Sequence, residues 1–294
     1  MDEQEFLAER FEAHRAHLRA VAYRMLGSMT EADDAVQETW LRLSRSDTSA
    51  VDNLGGWLTT VTSRICLTML RSRRTRREDP LDVHLPDPVV TRDGSADPEH
   101  EVLMADSVSL ALLVVLETLS PAERLAFVLH DLFALPFDEI AEMMDRSPMA
   151  VRQLASRARR RVQGAPASPD VDVPRQRAVV DAFFAAARGG DVDALVAVLD
   201  PDVVLRADLG AARAPVPSLV RGAERVAAQA MMFAQPRATL HPALVNGAAG
   251  VVVTIENRPV AVMGFTVRNG LIVAIDALSD PERLARLELP PLDG

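Results

Sequence analysis

The chain has 294 residues, of which 48% are apolar and 25% charged; this suits two or three globular modules rather than one small helical domain. Its longest unbroken apolar runs, such as Leu110 to Leu116, fall far short of a membrane span, and Met1 to Arg10 is acidic and polar, without the pattern of a signal peptide. The lone Cys66 supports neither a disulfide framework nor a metal site, so the expectation is a cytoplasmic protein with no metal, no cofactor and no membrane association.

The net charge of −10 does not exclude nucleic acid, because the charge is segregated. Arg64 to Arg77 and Arg146 to Arg161 each hold six arginines and no acid, whereas Glu78 to Glu99 holds seven acids and one arginine. Two basic patches therefore flank an acidic stretch.

In chain order, Thr30 with Asp33 predicts a helix N-cap, after which Ala35, Val36, Thr39, Trp40 and Leu43 fall on one stripe. A second helix should follow Gly55-Gly56, starting near Trp57 and ending among the arginines. Pro80, Pro86, Pro88 and Pro98 break helix between Glu78 and Pro98 and mark a linker. An apolar helix is expected around Val108 to Leu119, and Ser120-Pro121-Ala122-Glu123 joins a capping box to a proline at the first helical position. A second linker, Gly164 to Pro174, precedes helices over about 175–187 and 191–199, then valine-rich runs with hairpin turns at Asn246-Gly247 and Asn269-Gly270. The predicted modules are 1–77, 100–163 and 175–289, joined by linkers over 78–99 and 164–174, and the last is α+β.

Phe137 to Val162 has the layout of a helix-turn-helix. Ile140, Ala141 and Met144 form an apolar face, Asp145 and Arg146 make the turn, and Ser147 caps a helix that opens with Pro148. There Val151, Leu154, Ala155, Ala158 and Val162 line one side, leaving Arg152, Gln153, Ser156, Arg157, Arg159 and Arg160 around the rest. Such a helix fits the major groove, with Arg152 and Gln153 near its start reaching base edges and the later arginines neutralising phosphates. A solvated basic helix on an ordinary bundle is the plainer reading of the same pattern.

Leu116 to Val162 resembles region 4 of extracytoplasmic-function sigma factors, which implies recognition of the promoter −35 element through Arg152, Gln153, Ser156, Arg157 and Arg160. Tyr23 to Leu43 resembles sigma region 2, and Glu31 to Glu38 corresponds to its segment that docks on core RNA polymerase, implying contacts by Asp33, Asp34, Gln37 and Glu38. Trp57 to Arg77 resembles the part of region 2 that opens the −10 element. The implied contacts are Arg64, Arg71, Arg73 and Arg74, with Trp57 either in the core or a stacking platform.

Leu85-Pro86-Asp87-Pro88, preceded by His84, resembles a tryptophan-leucine-proline motif of relatives that carry a C-terminal extension. Arg175 to Leu289 resembles that extension, a SnoaL-like cone, so the implied fold is two all-α sigma domains followed by an α+β cone. The resemblance implies regulation from within the chain by degenerate motifs at Asp208, Gly210 and Arg213 and at Asp280, Pro281 and Leu284. It also leaves room for an unidentified small-molecule ligand in the cone. Enzymes of the wider fold need acid and base groups, for which Asp208, His241, Glu256 and Asp276 are available here. No His/Asp spacing marks a proton-transfer pair, so no catalytic residue is expected. The function implied is a sigma factor that binds core RNA polymerase and promoter DNA. The rivals are a DNA-binding regulator that does not join polymerase, and a SnoaL-like enzyme tethered to a DNA-binding module.

Overall fold

The computed structural model describes residues 3–46, 52–76, 84–92, 108–163, 170–210 and 218–292. The chain divides into two compact units, Met1–Pro80 with Val115–Ala165, and Leu81–Val114 with Pro166–Gly294.

The first unit is helical. Helices α1 (Glu3–Leu26), α2 (Met29–Leu43) and α3 (Leu54–Arg76) close on a core of Phe11, Leu18, Val36, Leu43, Leu54 and Leu58, against which Trp40 and Trp57 pack. Helix α1 ends at Gly27, whose φ of 71° suits the left-handed turn, and the extended Ser28 caps α2 by accepting from the Glu31 N–H. The cap is therefore Ser28 and not Thr30. Helix α3 likewise begins at Leu54, earlier than expected, because Asn53 Oδ1 accepts from the Gly56 N–H at 2.9 Å and stabilises the first turn. Gly55 is tolerated there because it lies against the His14 ring, where a side chain would crowd. Cys66 is fully buried, and burial pushes its thiol up to about 12.

The rest of this unit follows α4 (Leu110–Glu117), the element in which the chain leaves the second unit. Helix α5 (Pro121–Phe127) carries the full capping box, continues into a π-turn at Val128–Leu132, and is followed by α6 (Phe137–Met144) and α7 (Pro148–Gln163).

The second unit is a seven-stranded sheet in the order β1-β4-β5-β6-β7-β2-β3, antiparallel except for the β2–β7 pair. Its strands are β1 (Val90–Thr91), β2 (Leu199–Asp208), β3 (Leu219–Arg221), β4 (Ala238–Val245), β5 (Ala248–Ile255), β6 (Arg258–Arg268) and β7 (Leu271–Leu278). Helices α8 (Val173–Gly189), α9 (Val192–Ala197) and α10 (Ala223–Phe233) pack on one face, with Phe183, Leu205, Val251 and Phe265 in the shared core. Strand alternation sends Val90, Val245, Val252, Val262 and Leu278 to the other face, which Leu110 and Leu284 cover. Gly250 and Gly264 are opposite each other on that face, and a side chain at Gly250 would run into Val245 and the Met263 carbonyl.

Both expected Asn-Gly turns have positive φ at each residue. A third, Glu256-Asn257 (φ 51° and 61°), joins β5 to β6 and was not foreseen.

The described parts of the two expected linkers are built into the second unit. Strand β1 pairs with β4 through Val90–Val245 and Thr91–Leu244. Asp170 donates its N–H to the Val267 carbonyl at 2.8 Å, its carboxylate accepts from the N–H groups of Asn269 and Gly270, and Asp172 caps α8. The proline-rich composition signalled an absence of helix, but backbone free of helix can still add to a sheet edge.

Candidate functional site

The basic surface of the first unit is built on α7. Asp145, with φ 53°, turns the chain out of α6, and Ser147 Oγ accepts from the Ala150 N–H at 3.2 Å to start the helix. Val151, Leu154, Ala155 and Ala158 are buried, while Arg152, Gln153, Ser156, Arg157 and Arg160 are exposed together on the outer side. The Arg152 guanidinium stands 5.5 Å from the centre of the Phe137 ring, which holds its charged end beside the start of α6. Arg157 and Arg161 both pair with Glu123 (3.3 and 3.1 Å), and Arg159 pairs with Asp131. Burial alone would raise the Glu123 carboxyl, but the Ser120 hydrogen bonds and the charges of Arg161 and Arg157 outweigh it and hold the group below the usual range.

On α2, Asp33, Asp34 and Gln37 are exposed and Glu38 is half-buried, so the four polar candidates share one accessible side. Arg19 forks onto Asp33 (2.7 and 3.0 Å), and Arg42 pairs with Glu38 at 3.0 Å.

The candidates on α3 are disposed differently. Arg64 donates to the Met143 and Glu142 carbonyls at 3.1 and 3.2 Å, placing a cation on the C-terminal end of α6. Arg73 donates to the Leu26 carbonyl at 3.1 Å and pairs with Glu31. Arg71 is exposed, Trp57 packs against the helical core, and the Arg74 side chain lies outside the described residues.

In the second unit the motif residues converge. Asp208, 5% exposed, accepts at Oδ2 from the Leu85 N–H (2.9 Å) and from Arg283 Nη1 (2.5 Å). The same guanidinium donates to the Leu85 carbonyl at 2.6 Å and to Asp87, and His84 Nδ1 lies 3.5 Å from Asp208. Gly210, at φ 62°, passes so close to Asp280 that any side chain would overlap its carboxylate. Asp280 caps α11 (Pro281–Leu284), which carries Arg283; Pro281 is exposed at its first position, and Leu284 is buried in the outer-face core. Beyond the clamp, Asn246 Oδ1 accepts from the Val89 N–H at 3.1 Å, and the Asn246 N–H donates to the Val89 carbonyl at 2.8 Å. Arg213 lies outside the described residues. Asp87 lies in the motif read at 85–88, Arg283 in the stretch read at 280–284 and Asn246 in a predicted turn, but none was given this role from sequence; an arginine three residues after the Asp280 cap was the available signal.

The four acid and base candidates are otherwise engaged. Asp208 belongs to this clamp, His241 bonds Thr254 Oγ1 at 2.9 Å, Glu256 sits in a turn, and Asp276 is forked by Arg206. Burial pushes the Asp276 carboxyl up, with Arg206 acting against it. None of the four lines the cavity between the helices and the sheet. Among the described residues no group of His, Cys, Asp and Glu could hold a metal, and no helix is long and apolar enough to cross a membrane.

The sequence matches the profiles of Sigma-70 region 2 over residues 10–76, of Sigma-70, region 4 over 109–162, and of a SnoaL-like domain over 180–275. ECF RNA polymerase sigma factor SigJ of Mycobacterium tuberculosis is 41% identical over 287 residues, spanning 93% of this chain and 91% of the relative. Probable ECF RNA polymerase sigma factor SigI of the same organism is 38% identical over 288 residues, 97% of each chain. The crystal structure of Mycobacterium tuberculosis SigJ superposes with a TM-score of 0.77 at 35% identity, covering 96% of this chain and 100% of that one. Matched over nearly its whole length by such relatives, the chain belongs to the extracytoplasmic-function RNA polymerase sigma factors, which are transcription initiation factors and not enzymes.

Proposed function

We propose that this sigma factor works in the cytoplasm, docks on core RNA polymerase through Asp33, Asp34, Gln37 and Glu38, binds the −35 element with Arg152, Gln153, Ser156, Arg157 and Arg160, and is controlled by its own cone. The observation that carries the regulatory part is the clamp formed by Arg283 with Asp208, Asp87 and the Leu85 carbonyl. The segment it grips lies in the chain between the region 2 and region 4 matches, so gripping it limits how far those two helical groups can separate.

Separation matters because the −10 candidates Arg64 and Arg73 are occupied by the protein's own carbonyls and by Glu31. A single DNA strand can use them only if it replaces these partners, and in the case of Arg64 this means that α3 must leave the end of α6. The cone thereby acts as a restraint that polymerase and promoter must overcome. The test is transcription from a cognate promoter with purified core polymerase, comparing the full chain, a truncation after Pro169, and Arg283→Ala. Both changes should alter transcription sharply, with an increase expected; equal transcription by all three under every condition would remove the regulatory reading.

A further inference from the structure

Between α8, α10 and the helix-side face of the sheet lies a cavity of about 340 Å³. Protein interiors pack as densely as organic crystals and leave few voids larger than a water molecule, so a space of this size is within the range of built ligand sites. Its wall is made of aromatic and aliphatic side chains, among them Phe184, Leu205, Val253, Met263 and Ile275. At the end of α10, Phe233 both lines the cavity and is 49% exposed, which marks an entrance.

Of the polar residues on the described wall, Arg188 and Gln235 are exposed, Ser279 is half-buried and Gln229 alone is buried. Gln229 lines the cavity at 8% exposure, and no hydrogen bond joins its amide to another described residue. An amide that faces an apolar cavity without a protein partner is free to pair with a guest bearing one hydrogen-bonding oxygen. Among the described residues the one charged group on the wall, Arg188, is exposed and donates to the Ala238 carbonyl at 3.4 Å, so it belongs to the rim and not to the interior. Among the described residues no carboxylate and no histidine lines the space.

We propose that the cone binds one uncharged, chiefly hydrophobic small molecule carrying a single neutral oxygen group, such as a ketone or an alcohol, which hydrogen-bonds Gln229. This deepens the regulatory reading and rests on it only for its purpose: binding can be measured without polymerase, and transcription without the ligand. The lining residues Leu205 and Ala207 of β2, and Leu209 just past its end, alternate with Asp208 of the clamp, so the cavity and the clamp are two faces of one strand end.

The test uses the full chain and the neutral ketone dye 6-propionyl-2-dimethylaminonaphthalene, whose emission shifts to the blue in dry sites. Saturable one-to-one binding is expected. Ala230→Trp, which fills the space from α10, should weaken it at least tenfold, and Val260→Trp, which fills it from β6, should do the same should the first variant fold poorly. Gln229→Leu should weaken binding by a factor of about 3 to 10 through loss of one neutral hydrogen bond. No saturable binding, or undiminished binding in a folded filling variant, overturns the site; undiminished binding in Gln229→Leu overturns the oxygen group. Dye binding by a chain whose truncation leaves transcription unchanged would defeat the regulatory reading and leave the site standing.

Discussion

The Arg283 guanidinium donates to Asp208 at 2.5 Å, joining the short helix after β7 to the end of β2, and the same group reaches Asp87, nearly two hundred residues earlier in the chain. Both side chains of the pair are largely out of solvent, at 15% and 7% exposure. Removing the cation strands a buried carboxylate, which typically costs about 3 kcal/mol. Arg283→Ala should therefore lower the melting temperature of the cone and speed amide exchange at Leu85 and Val89. Asp208→Asn should have a smaller effect, since a neutral amide can still accept from the Leu85 N–H. Unchanged exchange in Arg283→Ala would show that the segment is held by the β1–β4 pairing and Asn246 without the clamp.

The elements that could be read from sequence are those whose cause is local. Ser120 with Glu123, Ser147 with Pro148, and Asn246-Gly247 each carry their own capping or turn chemistry, and each does what that chemistry dictates. The starts of α2 and α3 were misplaced although their caps, Ser28 and Asn53, are local too, because Thr30 with Asp33 and the Gly55-Gly56 pair drew the boundaries later. The clamp was the least legible. Asp208 and Asp280 were singled out by resemblance, and Asp87 and Arg283 fell inside the same motif stretches, but their pairing was not read, because a contact across so much chain leaves no periodicity to read. Pro86 and Pro88 argued correctly against helix but were silent about a sheet edge waiting to be paired.

On α7 the exposed residues divide by their neighbours. Arg152 and Gln153 stand at the start of the helix, where a recognition helix meets base edges, whereas Arg160 lies two turns later without an ion pair among the described residues. Substituting Arg152 or Gln153 by alanine should cost about 1–3 kcal/mol on the cognate −35 sequence and relax its preference. Arg160→Ala should weaken all sequences alike and reduce the salt slope by about 1. Equal losses on cognate and random DNA for all three would mean that the helix enters the groove in another orientation.

The side of α2 that bears Asp34, Gln37 and Glu38 is separate from its buried stripe of Ala32, Ala35, Val36, Thr39 and Leu43. Changing the three polar residues together to alanine should leave the fold intact and remove the Arg42 partner, a surface pair worth only about 0.5 kcal/mol. Binding to core polymerase should fall by at least tenfold, with DNA affinity of the full chain unchanged. Undiminished polymerase binding would reassign the docking surface.

Glu123 couples the α5 cap to α7 and gives the first unit a defined acid sensitivity. Its folded carboxyl lies below the usual range, so its stabilisation is complete above the unfolded value of about 4.3 and fades as pH falls through the lower folded one. Glu123→Gln keeps an acceptor for the capping box but loses the charge facing Arg157 and Arg161, whose exposure to solvent limits the loss to about 1 kcal/mol. Thermal melts between pH 3 and 7 should show a flatter dependence in the variant; parallel curves would place the acid sensitivity elsewhere.

The two ends of α11 should separate packing from capping. Pro281 is exposed at the first helical position, where its missing N–H costs nothing, so Pro281→Ala should shift stability by less than about 1 kcal/mol. Leu284 is 5% exposed and packs with Val90, Leu110 and Val262, so Leu284→Ala should cost about 2–4 kcal/mol, through lost burial and the cavity left behind. Because Val90 belongs to β1, that cavity opens beside the gripped segment itself. Amide exchange at Val89 and Asn246 should accelerate in Leu284→Ala, transcription should move in the same direction as in Arg283→Ala, and Pro281→Ala should match the parent chain in both assays. If Leu284→Ala destabilises the cone while exchange at Val89 stays slow, the segment is fixed by Asn246 and the clamp, and the outer-face core only supports the sheet.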